Sequence, residues 1–264
     1  MDSRPQPDPD EALHTIEGAG PPDVDVVVAL LAHPAARVRS AAVMQLPLLV
    51  GEPVPAGVVA AVVALTSDED ARVRDHACFV LGQQWREVDT PAVREALAAR
   101  LDDADQDARD EALLGLAHRQ DERALPRVRA ALARPDGSVR LLALLAAGAL
   151  GDPSLHPLVL GHLEGWDEDA AAQVDAVRRL TDPAGPGGDV LDGVAELSRR
   201  RAHGRPDGAA LAAWTTMAAM LDIAPGRAPA LHEQVLARLG DDPGATADAR
   251  ASALAQHADE ARAR

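Results

Sequence analysis

Apolar residues recur along this chain in paired blocks, each block at helical spacing. Val24, Val27, Leu30 and Leu31 open the series, followed by Val58, Val62, Val63 and Leu65, then Val93, Leu97 and Leu101. Leu125, Val128 and Leu132, then Leu155, Leu158, Val159 and Leu163, continue it. A three-to-four-residue period of this kind predicts amphipathic helices. Between these blocks lie second helices, predicted at roughly 35–50, 70–84, 105–118, 136–150 and 169–181. Turn residues separate the elements at Gly51–Pro53, Asp89–Pro91, Asp121, Gly151–Pro153 and Asp182–Gly188.

The second helices share a frame that is clearest in Asp68–Gln84. Around Arg74 stand acids four and six residues earlier (Asp70, Asp68), Val73 just before, and Ala77, Leu81 and Gly82 after. The frame falls again on Arg39, Arg109, Arg140 and, in degenerate form, Gln173. The anchors 39, 74, 109, 140 and 173 are 35, 35, 31 and 33 residues apart, the period of a stacked repeat array. Positions one before, three after and seven after the anchor share one helix face and are expected to be buried. Asp70, Asp105 and Asp136 are placed to feed oxygens to unpaired N–H groups at the helix start. An arginine there is mildly unfavourable, by roughly 0.3–1 kcal/mol. A turn aspartate of its own or of the adjacent repeat would offset that, so Arg39, Arg74, Arg109 and Arg140 with Asp70, Asp105 and Asp136 form a predicted structural ladder.

The remainder of the chain is less regular. Residues 1–20 are expected to form a flexible tail, polar and proline-rich through Pro9, with a short helix at Asp10–Glu17. Residues 21–181 form the regular array. Residues 182–264 hold degenerate repeats, with helices at 190–201, 209–221, 228–239 and 247–262, the last polar enough to cap an open end.

Composition narrows the chemistry. Aromatics are 2% of the chain, with three Trp, one Phe and no Tyr, so the core is built from Ala, Leu and Val. The net charge is −16, and Asp68–Glu111 alone holds thirteen acids against six arginines. Such a field repels a phosphate backbone and an anionic membrane and suits a basic protein surface. The single cysteine, Cys78, excludes an internal disulfide and sits where a small buried hydrophobe belongs. No apolar run reaches the ~18 residues of a membrane span, and no secretory signal opens the chain, so a cytoplasmic protein is expected.

The motif D-x-x-x-x-V-R-x-x-A-x-x-x-L-G, carried by DEDARVRDHACFVLG and nearly by DADQDARDEALLGLA and DGSVRLLALLAAGALG, resembles HEAT repeats. It is similar to the short HEAT-like variety also found in phycobilisome bilin lyases. The resemblance covers about 34–181, with departures at Gln173, His33, Arg134 and Pro47. It implies an all-α, right-handed α-solenoid of about seven helix pairs that binds proteins along a concave face lined by second helices. On that face the frame puts Asp75, His76, Phe79 and Gln83, with Trp85 just after, then Asp110, Glu111, Leu114 and His118. Met44, Phe79, Leu114 and Leu145 would form an apolar row across four repeats, either a groove floor or inter-repeat core.

Catalytic patterns are scarce. The nine histidines form no H-E-x-x-H motif, no Cys/His cluster has zinc spacing, and no nucleophile elbow or phosphate-binding loop occurs. The expectation is therefore a non-enzymatic scaffold, without cofactor or metal, binding a basic protein or peptide and not nucleic acid or membrane, and monomeric. The alternative is a HEAT-like enzyme or enzyme-associated factor, of the bilin-lyase or alkylpurine DNA glycosylase kind. The acidic charge and the missing motifs disfavour it.

Overall fold

The computed structural model describes residues 7–134, 137–205, 207–208 and 210–263, apart from the side chain at 169. Every regular element among them is helical, and no strand occurs. Tertiary contacts divide the chain into unit 1 (Met1–Arg127) and unit 2 (Val128–Arg264).

Unit 1 comprises α1 (Pro9–Glu17), α2 (Val24–Leu30), α3 (Ala36–Leu49), α4 (Ala56–Leu65), α5 (Ala71–Phe79), α6 (Pro91–Ala98) and α7 (Gln106–His118). A five-residue π-helical turn, Val80–Gln84, extends α5. The pairs α2/α3, α4/α5 and α6/α7 stack so that α3 packs on α5 and α5 on α7. The anchor-minus-one, plus-three and plus-seven positions are sealed: Val38, Ala42, Leu46, Val73, Ala77, Leu81, Ala112 and Leu116 are all 0% exposed. Each such Leu or Val contributes about 2 kcal/mol of burial, and the alanines admit the partner helix. Asp70 accepts from the backbone N–H groups of Arg72 and Val73, and Asp105 from those of Asp107 and Ala108, so both act as helix caps.

The close approach of α5 and α7 turns on two glycines. A Cβ on Gly115 would sit 2.8 Å from the Gly82 Cα, and one on Gly82 would sit 3.0 Å from the Glu111 carbonyl oxygen. Two backbones therefore touch where side chains would hold them apart.

The N-terminal segment is tied down from Pro7 onward. His33 is 1% exposed; its Nδ1 accepts from the Ala35 N–H at 3.0 Å, which leaves Nε2 to donate to the Pro7 carbonyl at 3.0 Å. The expected flexible tail through Pro9 thus does not extend to Pro7 and Asp8, the latter capping α1 through Asp10 N–H. Residues 1–6 lie outside the described ones.

Unit 2 begins within α8 (Ala124–Leu132) and continues with α9 (Leu141–Leu150), α10 (His156–Val159), α11 (Glu168–Thr181), α12 (Gly188–Ala202) and α13 (Ala210–Ile223). It closes with α14 (Ala228–Leu239), α15 (Pro243–Arg250) and α16 (Ala253–Ala263). Here α9 packs on α11, α11 on α13, α12 on α13, α14 and α15, and α14 on α16. Two of the expected helices differ in form. α10 is a four-residue helix flanked by 3-10 turns, and the single helix expected at 247–262 is broken after Arg250, where Ser252 caps α16.

Candidate interaction groove

Two of the frame arginines of unit 1, Arg39 and Arg74, reach an aspartate of the next repeat, though not the acids expected from the sequence. Arg39 grips Asp68 with two hydrogen bonds of 2.7 Å, and Arg74 grips Asp103 at 2.9 and 2.7 Å. The acid is thus the one six residues before the next anchor, not four, because Asp70 and Asp105 are occupied as caps. The remaining Nη1 of each arginine donates to carbonyls of its own turn: His33 and Pro34 for Arg39, Asp68 and Glu69 for Arg74. The side chains of both pairs are nearly sealed, 9% and 8% exposed for Arg39 and Asp68, 13% and 2% for Arg74 and Asp103. Hydrogen bonds from Arg74 hold the Asp103 carboxyl down at about 2.

The ladder ends after two rungs in unit 1. Six before Arg140 the chain has Arg134 instead of an acid. Arg109 accordingly turns back to the Asp103 carbonyl and to the Gln106 side-chain oxygen. Arg140 is the N-cap residue of α9, which starts at Leu141, later in the frame than any other second helix. Asp136 lies outside the described residues. At the other end, His33 stands where Asp68 and Asp103 stand. It reproduces their bond to the N–H two residues on, and no earlier arginine requires a carboxylate there.

Sequence reasoning missed one buried cation. Arg119, 5% exposed, donates to the carbonyls of Gly115, Leu81, Trp85 and Val88 at 2.7–3.0 Å. It thereby satisfies the open C-terminal ends of α7 and of the π-helical turn. Burial presses its guanidinium down to about 10.

The predicted partner-binding residues separate into three groups. Leu114 is 2% exposed and Trp85 6%, so both are core, and the predicted apolar row does not run through α7. The reason is visible in α7, which is buried continuously from Asp110 to Ala117 and offers no open apolar face. Asp110 and Glu111 are likewise buried, at 6% and 9%. Gln83 Nε2 donates to Glu111 Oε2 at 2.6 Å, and burial pushes the Glu111 carboxyl up to about 7, helped by Asp75, Asp110 and Asp107. His118 Nδ1 lies 3.0 Å from the Gly82 carbonyl oxygen, a further link between α7 and the turn. Leu145, half-buried on α9, belongs to unit 2.

Met44, Asp75, His76 and Phe79 remain at least partly open on α3 and α5. Between these helices runs a groove of about 460 Å³, lined by Arg37, Ser40, Met44, Asp70, Arg72 and His76 among others. Ser40 Oγ sits 2.9 Å from His76 Nδ1 and joins the two walls. Met44 is 36% exposed, and Leu48, one turn along α3 and so on the same face, is 75% exposed. Leu48 was not singled out from the sequence; its helical spacing from Met44 was the available signal.

Among the described residues no group of His, Cys, Asp and Glu could hold a metal ion, and no helix is long and apolar enough to cross a membrane. Burial pushes the Cys78 thiol far up, as suits a packing residue.

A family model for HEAT repeats matches residues 24–109 and 94–178, more than half of the chain. The chain belongs to the HEAT-repeat family. Its HEAT helices are those that carry the Arg39 and Arg74 rungs and both walls of the groove. No curated protein matches the sequence. Among solved structures, the X-ray structure of YibA of Escherichia coli is similar at 22% identity and a TM-score of 0.49. The match covers 64% of this chain and 59% of YibA.

Proposed function

We propose that this HEAT-repeat chain is a non-catalytic docking module whose α3–α5 groove holds a segment of a partner protein. The reading rests on one observation above all. Met44 and Leu48 expose an apolar strip beside a groove of about 460 Å³ with charged walls. An apolar centre with a charged rim suits protein contact. On α5 and α7, Asp75 and the exposed Asp107 supply negative charge for a basic side chain of the partner. The net charge of −16 disfavours nucleic acid, whose phosphates need clustered cations. A cytoplasmic setting belongs to this reading and agrees with a lone buried thiol.

The test is site-directed photocrosslinking in the native cell, with p-benzoylphenylalanine at Leu48 or Met44 and, as control, at Val26, which is 48% exposed on α2. A discrete higher-mass adduct is expected from the groove positions and not from Val26. Adducts of equal yield at all three positions, or none at any, would reject the groove as the docking surface.

A further inference from the structure

The open charge inside the α3–α5 groove has the opposite sign to that of the chain, which carries −16. The frame position two before the anchor is Arg37 on α3 and Arg72 on α5, so each wall gives one guanidinium to the lining. The acid in that lining, Asp70, is committed as the α5 cap and accepts from the N–H groups of Arg72 and Val73.

Both guanidinium groups are exposed, and neither is locked in place. Asp10 of α1 reaches Arg37 at 2.6 Å, but the two side chains are 80% and 58% exposed. An ion pair so open to water is weak and exchanges readily. Arg72 acts on Asp75, three residues along the same helix, through space. Among the described residues its guanidinium makes no hydrogen bond or close ion pair. The contact of Asp10 with Arg37 also shows which chemistry this part of the groove accepts. It is a carboxylate, whose oxygens match the donor fork of arginine.

Resting on the docking reading above, we infer that the segment held in the α3–α5 groove is acidic and partly apolar. Its carboxylate exchanges with Asp10 on Arg37, Arg72 adds its charge from the α5 wall, and a neighbouring apolar side chain covers Met44. Charge complementarity selects this occupant. At physiological ionic strength a charge is felt over about 8 Å, so inside the groove two arginines outweigh the distant acids of the chain. The basic side chain expected at Asp75 and Asp107 lies outside this lining, and the two contacts do not compete.

The experiment is selection of a phage-displayed random dodecapeptide library on the full-length chain. A chain of charge −16 attracts basic peptides without specificity, so a requirement for an acid reports local cations. Enriched peptides are expected to share an acid next to an apolar residue. A synthetic enriched peptide with its acid changed to the amide should bind the wild type about fivefold more weakly. The same two peptides should bind the double variant Arg37→Gln with Arg72→Gln equally. Asp10→Asn, which frees Arg37, should bind the parent peptide about twofold more tightly. Circular dichroism confirms that each variant is folded. Enriched peptides that lack an acid yet lose binding to Leu48→Asp overturn this inference and leave the docking reading in place. So does an acid whose removal weakens binding to the wild type and to the double variant alike, or unchanged or weaker binding by Asp10→Asn. No enrichment, or peptides indifferent to Leu48→Asp, overturns both.

Discussion

In unit 1 an arginine of one repeat reaches the aspartate of the next and is buried with it; on α11 and α12 of unit 2, Arg178 and Arg200 pair one helical turn away and stay closer to water. Arg74 and Asp103 are 13% and 2% exposed, whereas Arg178 and Asp175, three residues apart on α11, are 28% and 38% exposed. Arg200 and Glu196 on α12 repeat the local pattern at 33% and 35%. A buried, doubly bonded pair tolerates one register only, because a slip leaves a charge without a partner in a dry interior. Local pairs on one helix say nothing about which helix lies alongside. Shape helps to set the register in unit 2. Gly148 on α9 has no room for a Cβ against Val177 and Ile223, each 2.9 Å away, and Gly193 on α12 has none against Ala213. Polar rungs and small-residue contacts are two ways to fix a helix stack, and the two units weight them differently.

The largest expected effect separates the two buried-carbonyl arrangements. Arg119 serves four carbonyls in unit 1, while the exposed Arg227 of unit 2 serves the Gly151 carbonyl at 3.1 Å. Arg119→Met should cost about 5 kcal/mol, since several carbonyls are left dry at roughly 1–3 kcal/mol each. Arg227→Met should cost under about 1 kcal/mol, as water replaces the lost donor. Urea unfolding of both variants checks this; comparable midpoints would remove Arg119 from its central role.

Much of the ladder could be read from residue spacing, and its misassigned part has a physical cause. Val73, Ala77 and Leu81 lie on one helix face by period alone, and their burial followed. Asp70 and Asp68 are both acids near Arg74, and spacing does not tell a helix cap from a rung. Only the stacked structure shows that Asp68 serves the preceding Arg39. His33 read as a departure, yet it terminates the ladder by tying the turn to Pro7. Arg119 had no frame partner to mark it, because its acceptors are backbone carbonyls that any sequence supplies. Leu114 was misplaced for a related reason. One helix wheel cannot show that α7 is covered along Asp110–Ala117, or that Gly82 and Gly115 bring α5 into backbone contact with it.

The rungs themselves give the second comparison. Arg74→Leu leaves Asp103 buried with only Arg100 at 3.0 Å and the Asp105 N–H at 2.9 Å, and should cost about 3–5 kcal/mol. Arg178→Leu removes a half-exposed pair and should cost less than about 1 kcal/mol. The double variant Arg74→Leu with Asp103→Leu should recover much of the loss, because an apolar pair of similar volume replaces a buried ion pair at little net cost. A double variant no more stable than Arg74→Leu would mean that Asp103 serves the turn through the Asp105 N–H more than it serves the arginine. Thermal unfolding of the three variants distinguishes these outcomes.

Glu111 of unit 1 and Asp175 of unit 2 are pushed in opposite directions, which sets up the smallest effect and the one with the clearest sign. Burial drives Glu111 up to about 7, with Asp75, Asp110 and Asp107 adding to it against the single bond from Gln83. Asp175 is also raised by burial, but hydrogen bonds from Arg179 and Arg178 outweigh that and bring it below its ordinary value. A carboxyl whose folded value lies above its unfolded one favours the folded state fully below about pH 4.5, and that contribution fades as the pH rises through about 7. Moving from 4.5 to about 7 corresponds to on the order of 3 kcal/mol. Glu111→Gln keeps an acceptor for Gln83 and removes the titration. It should therefore melt close to the wild type at pH 5 and be more stable at pH 8, by on the order of 2–3 kcal/mol. Asp175→Asn should do the reverse and lose stability at pH 8, by under about 1 kcal/mol for so exposed a pair. A Glu111→Gln gain that is equal at both pH values would show that the side chain is ionised throughout, and the carboxyl cluster of α5 and α7 would then carry one more negative charge at neutral pH than the buried geometry allows.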